Sequence, residues 1–300
     1  MSYLPTSKVN NYIIYFMKKF FTIVLFFILL WNVIIFYVDS NLSTRYDTTV
    51  YNGIDKIWPA RGLYDSREEQ NSLKAIKKAF EAGAVGVEID FHYDTNMHKF
   101  IISHNHPKKD KNGNFVYTLK DGRLLTLEDV FKQTGKGHYF YLDYKNLDKL
   151  SDKETQDAIK RLDEITKDDN LKDRLYMEGS NPFKVQVYTK AGFKTLLGIH
   201  PLPEKNPLSS IVINAYKIAY YFFDISALAM NYAHHGDLDK VIYGKHTRKL
   251  LKDIPVFIFH IPVKDELLKE LVNIPQVRVM LVGCCVSVDK TYIRAEKNTQ

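Results

Sequence analysis

Two carboxylates and two imidazoles crowd into one short stretch, Ala84–Pro107, AVGVEIDFHYDTNMHKFIISHNHP. Glu88 and Asp90 stand two apart in an apolar run that reads as a strand. Side chains at i and i+2 of a strand leave the same face. Both acids therefore converge, and converging carboxylates suit a hard divalent cation such as Ca2+ or Mg2+. His92 continues the same parity at the strand's end. Asp94-Thr95-Asn96 reads as a turn, and Lys99–Ser103 as a second strand that delivers His104 and His106 to a common side. Acids and imidazoles around one hairpin are the ingredients of metal-assisted acid/base chemistry. An amphipathic hairpin with solvated charges would look the same.

Positioning such groups takes a scaffold, and the rest of the chain reads as alternating strands and helices. Strands are expected over 56–60, 138–145, 174–178, 194–199, 225–231, 256–260 and 276–282, in addition to the focal hairpin. Helices are expected between them over 68–82, 127–133, 153–166, 182–190, 209–223, 238–252 and 263–273. Thr126 is placed to cap the second of these helices, with Glu128 and Asp129 in its first turn. Residues 108–123 read as a charged loop. Eight main strands separated by helices argue for an α/β fold with a parallel sheet, closed as a (β/α)8 TIM barrel. In such barrels catalytic side chains sit at the C-terminal strand ends. Arg61, Glu88, Asp90, Asp143, Lys145, Glu178, His200 and His260 all fall near such ends. Asp143 and Lys145 repeat the i, i+2 spacing of Glu88 and Asp90 on the next main strand, which brings a third carboxylate and a cation to the same cavity. A structural ion pair is the competing reading for these two.

The barrel is expected over 55–300, behind an apolar segment and a linker over 39–54. Phe20–Val38, FFTIVLFFILLWNVIIFYV, carries no charge, and only Thr22 and Asn32 are clearly polar. About 19 helical residues rise roughly 28 Å, close to the hydrocarbon thickness of a bilayer. Lys18 and Lys19 precede it and Asp39 follows. The positive-inside rule then puts residues 1–19 in the cytoplasm and the barrel on the non-cytoplasmic side of a single-pass membrane protein. A cleaved signal peptide is the rival, but its apolar region is shorter and FYVDSNLSTRYD offers no small-residue cleavage site. The formal charge is +7, of which Lys8, Lys18 and Lys19 supply three before residue 39, where there are no acids. The rest is a mild excess scattered among acids, with no nucleic-acid footprint. Cys284 and Cys285 are adjacent, which disfavours a disulfide between them and suggests no metal site.

The order of motifs resembles the glycerophosphodiester phosphodiesterase family, within the phospholipase-C-like barrel phosphodiesterases. The family's H-R-G, E-N-T, G-A-x-x-x-E-x-D, H-D and E-x-K segments are matched by Ala60-Arg61-Gly62, Gln70-Asn71-Ser72, Gly83-Ala84 with Glu88-Ile89-Asp90, His104-Asn105, and Asp143-Tyr144-Lys145. LLTLEDV over Leu124–Val130 and VFIFHIP around His260 resemble further family segments, and the Asp-x-Lys form is similar to the spider-venom phospholipase D branch. The resemblance implies a divalent cation on Glu88, Asp90 and Asp143, positive charge from Arg61 and Lys145, and His104 as a proton carrier. It also implies a glycerophosphodiester or phospholipid headgroup as substrate. The chain departs from it at Ala60, where the family has its other histidine, at Gln70 for a glutamate ligand, at Asn105 for an aspartate, and at Gly283 near a frequent aspartate. His92, His106 and His260 are the histidines that would stand in at Ala60. The alternative reading is an impaired barrel that binds a phosphorylated ligand or an envelope protein without turnover. The helix over 209–223, rich in tyrosine and phenylalanine, either covers the barrel or extends a lipid-facing surface.

Overall fold

The computed structural model describes residues 6–283 apart from residue 114. Cys284 and Cys285 lie outside the described residues. The chain divides into two compact units, Met1–Arg45 and Tyr46–Gln300.

The first unit contains one helix, Thr6–Asn41, of 36 residues. It is longer than the apolar run over 20–38; Thr22 and Asn32 within the run, and Asn41 past it, satisfy their side chains on carbonyls one turn back. The helical span Tyr15–Arg45 holds an 18-residue window with a mean hydropathy of 2.6, long and apolar enough to cross a membrane.

In the second unit eight parallel strands close on themselves: β1 (Ile57–Ala60), β2 (Gly86–Asp94), β3 (Tyr139–Tyr144), β4 (Leu175–Gly179), β5 (Lys194–Ile199), β6 (Ala227–Asn231), β7 (Val256–Phe259) and β8 (Val277–Gly283). Each pairs with the next, β8 pairs with β1, and Ala60 opposite Glu88 joins β1 to β2. The expected TIM barrel is present, with helices between the strands and a hairpin strand, Lys99–Ile102, antiparallel to β2. Thr126 caps its helix in a reciprocal capping box with Asp129.

Several expected elements differ in extent. The helix over 68–82 begins only at Leu73, because the Ser72 hydroxyl caps it and Asn71 takes a left-handed backbone. Over 238–252 a short 3-10 turn precedes a helix confined to Lys245–Leu251. The loop over 108–123 contains a small antiparallel ladder, Lys108–Lys109 with Phe115–Val116.

The linker expected over 39–54 is only partly a tether. Val50 and Tyr51 are buried with Trp58, Tyr176 and Phe257 in the barrel interior. The Tyr51 ring meets Trp58 and Tyr139 edge-on, and its backbone N–H donates to the Tyr176 hydroxyl at 2.7 Å. Trp58, Tyr139 and Tyr176 stand toward the starts of their strands, so this segment plugs the N-terminal end of the barrel. Its polar composition hid two apolar anchors. The plug leaves the C-terminal ends as the open side.

Candidate active site

Strand register sets the acids in a row. Asp90 on β2 is the Cα partner of Asp143 on β3, and Asp143 is the partner of Glu178 on β4. Partners in adjacent parallel strands point the same way, so three carboxylates line up where β2, β3 and β4 end. Glu88 stands one inward step below Asp90. Glu88, Asp90 and Asp143 each bring an oxygen within 4.8 Å of the others.

The turn after β1 grips this row. Arg61 takes a left-handed backbone at φ 61°, uncommon for a residue with a Cβ. Its N–H donates to a Glu88 carboxylate oxygen at 2.9 Å, and its Nε lies 2.8 Å from Asp90 Oδ2. Its Nη1 donates to Gln70 Oε1, and Gln70 Nε2 donates to the Tyr64 hydroxyl. Gly62 follows at φ 83°, where a Cβ would run into the backbone of Ala75, so the Arg-Gly pair is required by close approach as well as by chemistry. Asn71 completes the grip: its Nδ2 donates to Asp90 Oδ2 at 2.8 Å, and its Oδ1 accepts from the Asp90 N–H.

Lys145 bridges the row from β3. Its ammonium lies 2.6 Å from Asp90 Oδ1 and also pairs with Asp143. Asp90 is fully buried behind these cations. Burial opposes its ionisation, but Lys145, Arg61 and the Asn71 hydrogen bond together hold its carboxyl below the ordinary value. Glu88 and Asp143 go the other way. Burial pushes Glu88 well up, with Asp90 and Asp143 adding repulsion. Burial also raises Asp143, against the pull of Lys145. Burial lowers and the two aspartates raise the Lys145 ammonium, for a net rise. Crowded carboxylates that lack enough positive charge fit a hard divalent cation: three oxygen donors, two of them destabilised as anions.

A cavity of about 930 Å³ opens over the row. Arg61, Gln70, Glu88, His104, Asp143, Lys145 and His260 line it, together with Ala60 and Gly283. The structure thus brings most of the expected site residues to one cavity. His104 is on its exposed rim, and its Nδ1 lies 2.9 Å from Asn105 Oδ1. An amide oxygen accepts only, so this contact suits the tautomer with the proton on Nδ1. His260 also has a left-handed backbone, at φ 52°; burial depresses its pKa, as do His235, Arg61 and His200.

His92 and His106 do not line the cavity. His92 is buried, its Nε2 3.1 Å from His106 Nδ1, while Lys149 Nζ lies 3.1 Å from His106 Nε2. Burial pushes the His92 imidazole down to about 4. β2 extends past the barrel rim into the hairpin, and there the parity that put Asp90 in the carboxylate row turns His92 into the hairpin's own packing. This corrects the expectation that either residue approaches Ala60.

Contributors to the wall that the sequence does not mark include Tyr141, Tyr64, Arg67 and His235. Tyr141 was findable, since it precedes Asp143 by two on the same strand. His235 lies in an irregular loop with no periodic signal. Glu178 and His200 were noted only as strand-end residues. The Tyr141 hydroxyl donates to Glu178 Oε2 at 2.7 Å. Burial, with Asp143 nearby, pushes the Glu178 carboxyl up to about 8. Gly198 on β5 leaves the room this carboxylate fills, since a Cβ there would strike Glu178 Oε1.

A stability test follows. The Glu178 carboxyl has an ordinary value of 4.5 and a folded value of about 8, so its contribution is fully present below 4.5 and is lost as pH rises toward 8. His92 has the opposite sign only below 6.5, its ordinary value. Glu88, which burial also pushes well up, adds the same sign, so metal-free protein is expected to lose stability from pH 6.5 to 8, by about 1.4 kcal/mol per pH unit for each proton released. Chemical denaturation across that range checks it, and Glu178→Gln should flatten the slope.

No family model matches this sequence, and no curated protein matches it. Solved structures do. A glycerophosphodiester phosphodiesterase from Parabacteroides distasonis aligns at 16% identity with a TM-score of 0.53, covering 81% of this chain and 98% of that one. A phosphodiesterase from Oleispira antarctica, in complex with the product sn-glycerol-3-phosphate, aligns at 15% identity with a TM-score of 0.51, covering 81% and 97%. The chain therefore carries the fold of the glycerophosphodiester phosphodiesterases in a form strongly divergent in sequence.

Proposed function

We propose that this chain is a membrane-anchored, divalent-metal-dependent phosphodiesterase acting on glycerophosphodiesters or phospholipid headgroups. The observation that carries the reading is the meeting of Glu88 and Asp143 with Arg61, Lys145 and His104 in one cavity, above the buried Asp90. Ca2+ or Mg2+ held by Glu88, Asp90 and Asp143 would supply Lewis-acid stabilisation of the phosphate's charge. Arg61 and Lys145 add fixed positive charge where the transition state gathers negative charge. His104 Nε2 takes the proton of the attacking water as the bond from phosphorus to the leaving alcohol oxygen breaks and that oxygen takes up a proton, while Asn105 holds the ring in the tautomer that leaves Nε2 free. His260 is the second proton carrier in this reading, with Gln70 holding Arg61. The fold shared with a structure bound to sn-glycerol-3-phosphate supports the substrate class. The apolar helix supports the anchor, and Lys18 and Lys19 before its apolar run with Asp39 after it support a barrel on the non-cytoplasmic side.

The test is hydrolysis of glycerophosphocholine and lysophospholipids by the full chain in detergent, with Ca2+ or Mg2+ and with chelator. Turnover that needs the cation is the expected result. The cation should also stabilise the fold, by about 2.7 kcal/mol at a hundredfold excess over its Kd. Affinity should rise with pH, because Glu88 and Asp143 must release protons to bind it.

A non-catalytic binding role is the second reading, favoured by Ala60 in the cavity wall and by Lys145 already bridging Asp90 and Asp143. Cation binding without turnover of any of these esters would select it.

A further inference from the structure

The helix Ser209–Phe222 between β5 and β6 is amphipathic in the wrong sense for a surface helix. Its one charged side chain, Lys217, is turned inward and donates to the carbonyl of Leu250 at 3.1 Å. Tyr220 and Ile213 are buried with it. The opposite face presents Ile211 (53% exposed), Ala215 and Phe222 (51%), with Leu208 just before the helix; these fall at one-face helical spacing. Phe183, 68% exposed, extends the strip by packing edge-on against Phe223, with ring centroids 4.7 Å apart.

Beside this apolar strip lies a basic one. The helix Lys245–Leu251, KHTRKLL, holds no acid, and Lys245, His246 and Lys249 are exposed. Ser210 Oγ lies 2.8 Å from His246 Nε2 and ties the two helices side by side. Arg248 is taken up by Glu270, so the lysines one turn apart carry the outward charge.

We propose that these two helices form a peripheral membrane contact that lays this side of the barrel onto an anionic bilayer surface. Apolar side chains beside lysines match the two layers they would meet, acyl chains and anionic headgroups. A lipid surface is the occupant the chain itself favours. The same chain carries a helix long and apolar enough to cross a membrane, which in the anchor reading brings the barrel to a bilayer. The proposal rests on the anchor reading and not on catalysis.

The test uses the full chain in vesicles of phosphatidylcholine with or without phosphatidylglycerol, containing bromine-labelled acyl chains that quench indole fluorescence. The chain has two tryptophans. Trp31, in the apolar helix, reports insertion of the anchor in the unaltered protein. Trp58, fully buried in the barrel, should stay bright. Phe222→Trp in a Trp31→Phe background then reports the proposed contact alone. Strong quenching at position 222 that grows with phosphatidylglycerol is expected. Lys245→Gln and Lys249→Gln should each weaken the contact about fivefold, with hydrolysis in detergent unchanged. An unquenched position 222 while Trp31 is quenched overturns the contact but keeps the anchor. The same result with an elution size of two chains overturns it in favour of a second copy on this face.

Discussion

Replacing His104 with alanine is expected to lower kcat/KM for glycerophosphodiester hydrolysis by about 10²–10⁴-fold, the usual worth of one positioned acid/base group. The variant is a clean one. His104 is exposed on the cavity rim, and its hydrogen-bond partner is its own neighbour Asn105. Removing it should shift stability by less than about 0.5 kcal/mol. The loss should therefore appear in kcat at full cation saturation, with the cation-induced thermal shift unchanged. A loss under tenfold would sink the role of His104 and move attention to His260. The same variant separates the two readings of the protein: in a binding protein His104→Ala leaves ligand affinity as the only quantity to change.

The second large effect is expected at Lys145. Its ammonium touches Asp90 and Asp143 at once, and it lines the cavity where a phosphate would sit. Lys145→Met should lower kcat by about 10²–10³-fold, comparable to removing one preorganised electrostatic donor. It should also destabilise the fold, by about 3 kcal/mol, because buried Asp90 and partly buried Asp143 are left short of positive charge. That is the lower end for a broken buried pair, since Arg61 and Asn71 still hold Asp90 and Lys145 is 20% exposed. Urea denaturation and single-turnover rates on the same preparation distinguish the two. A purely structural Lys145 would cut activity only in proportion to the folded fraction. Added cation should restore much of the stability and little of the rate.

The chain's periodicity alone determined the fold class. Strand–helix alternation over 230 residues has few solutions that bury every strand on both faces, and the closed barrel is one. The same periodicity determined which acids converge. Glu88 with Asp90, and Asp143 with Lys145, share a face because strand side chains alternate with a period of two, whatever the tertiary setting. An apolar run without charge also marked the N-terminal helix.

What tertiary structure alone decided depends on register and on contacts distant in sequence. Pairing of Asp90 with Asp143 and Glu178 comes from the stagger of adjacent strands, which no local pattern encodes. It makes Glu178, an unremarkable strand-end acid in sequence, a buried carboxyl beside the cavity. His92 obeyed the parity rule and still left the site, because β2 outruns the barrel and its last residues belong to the hairpin. Tyr51 falls in the expected tether, since scattered aromatics in a polar segment have no period to reveal them, yet it closes the barrel floor. Asp90 shows the division most sharply. Its residue type and spacing marked it as a cation ligand, but only the folded turn after β1 brings Arg61 and Asn71 onto it, and those contacts are what keep it charged.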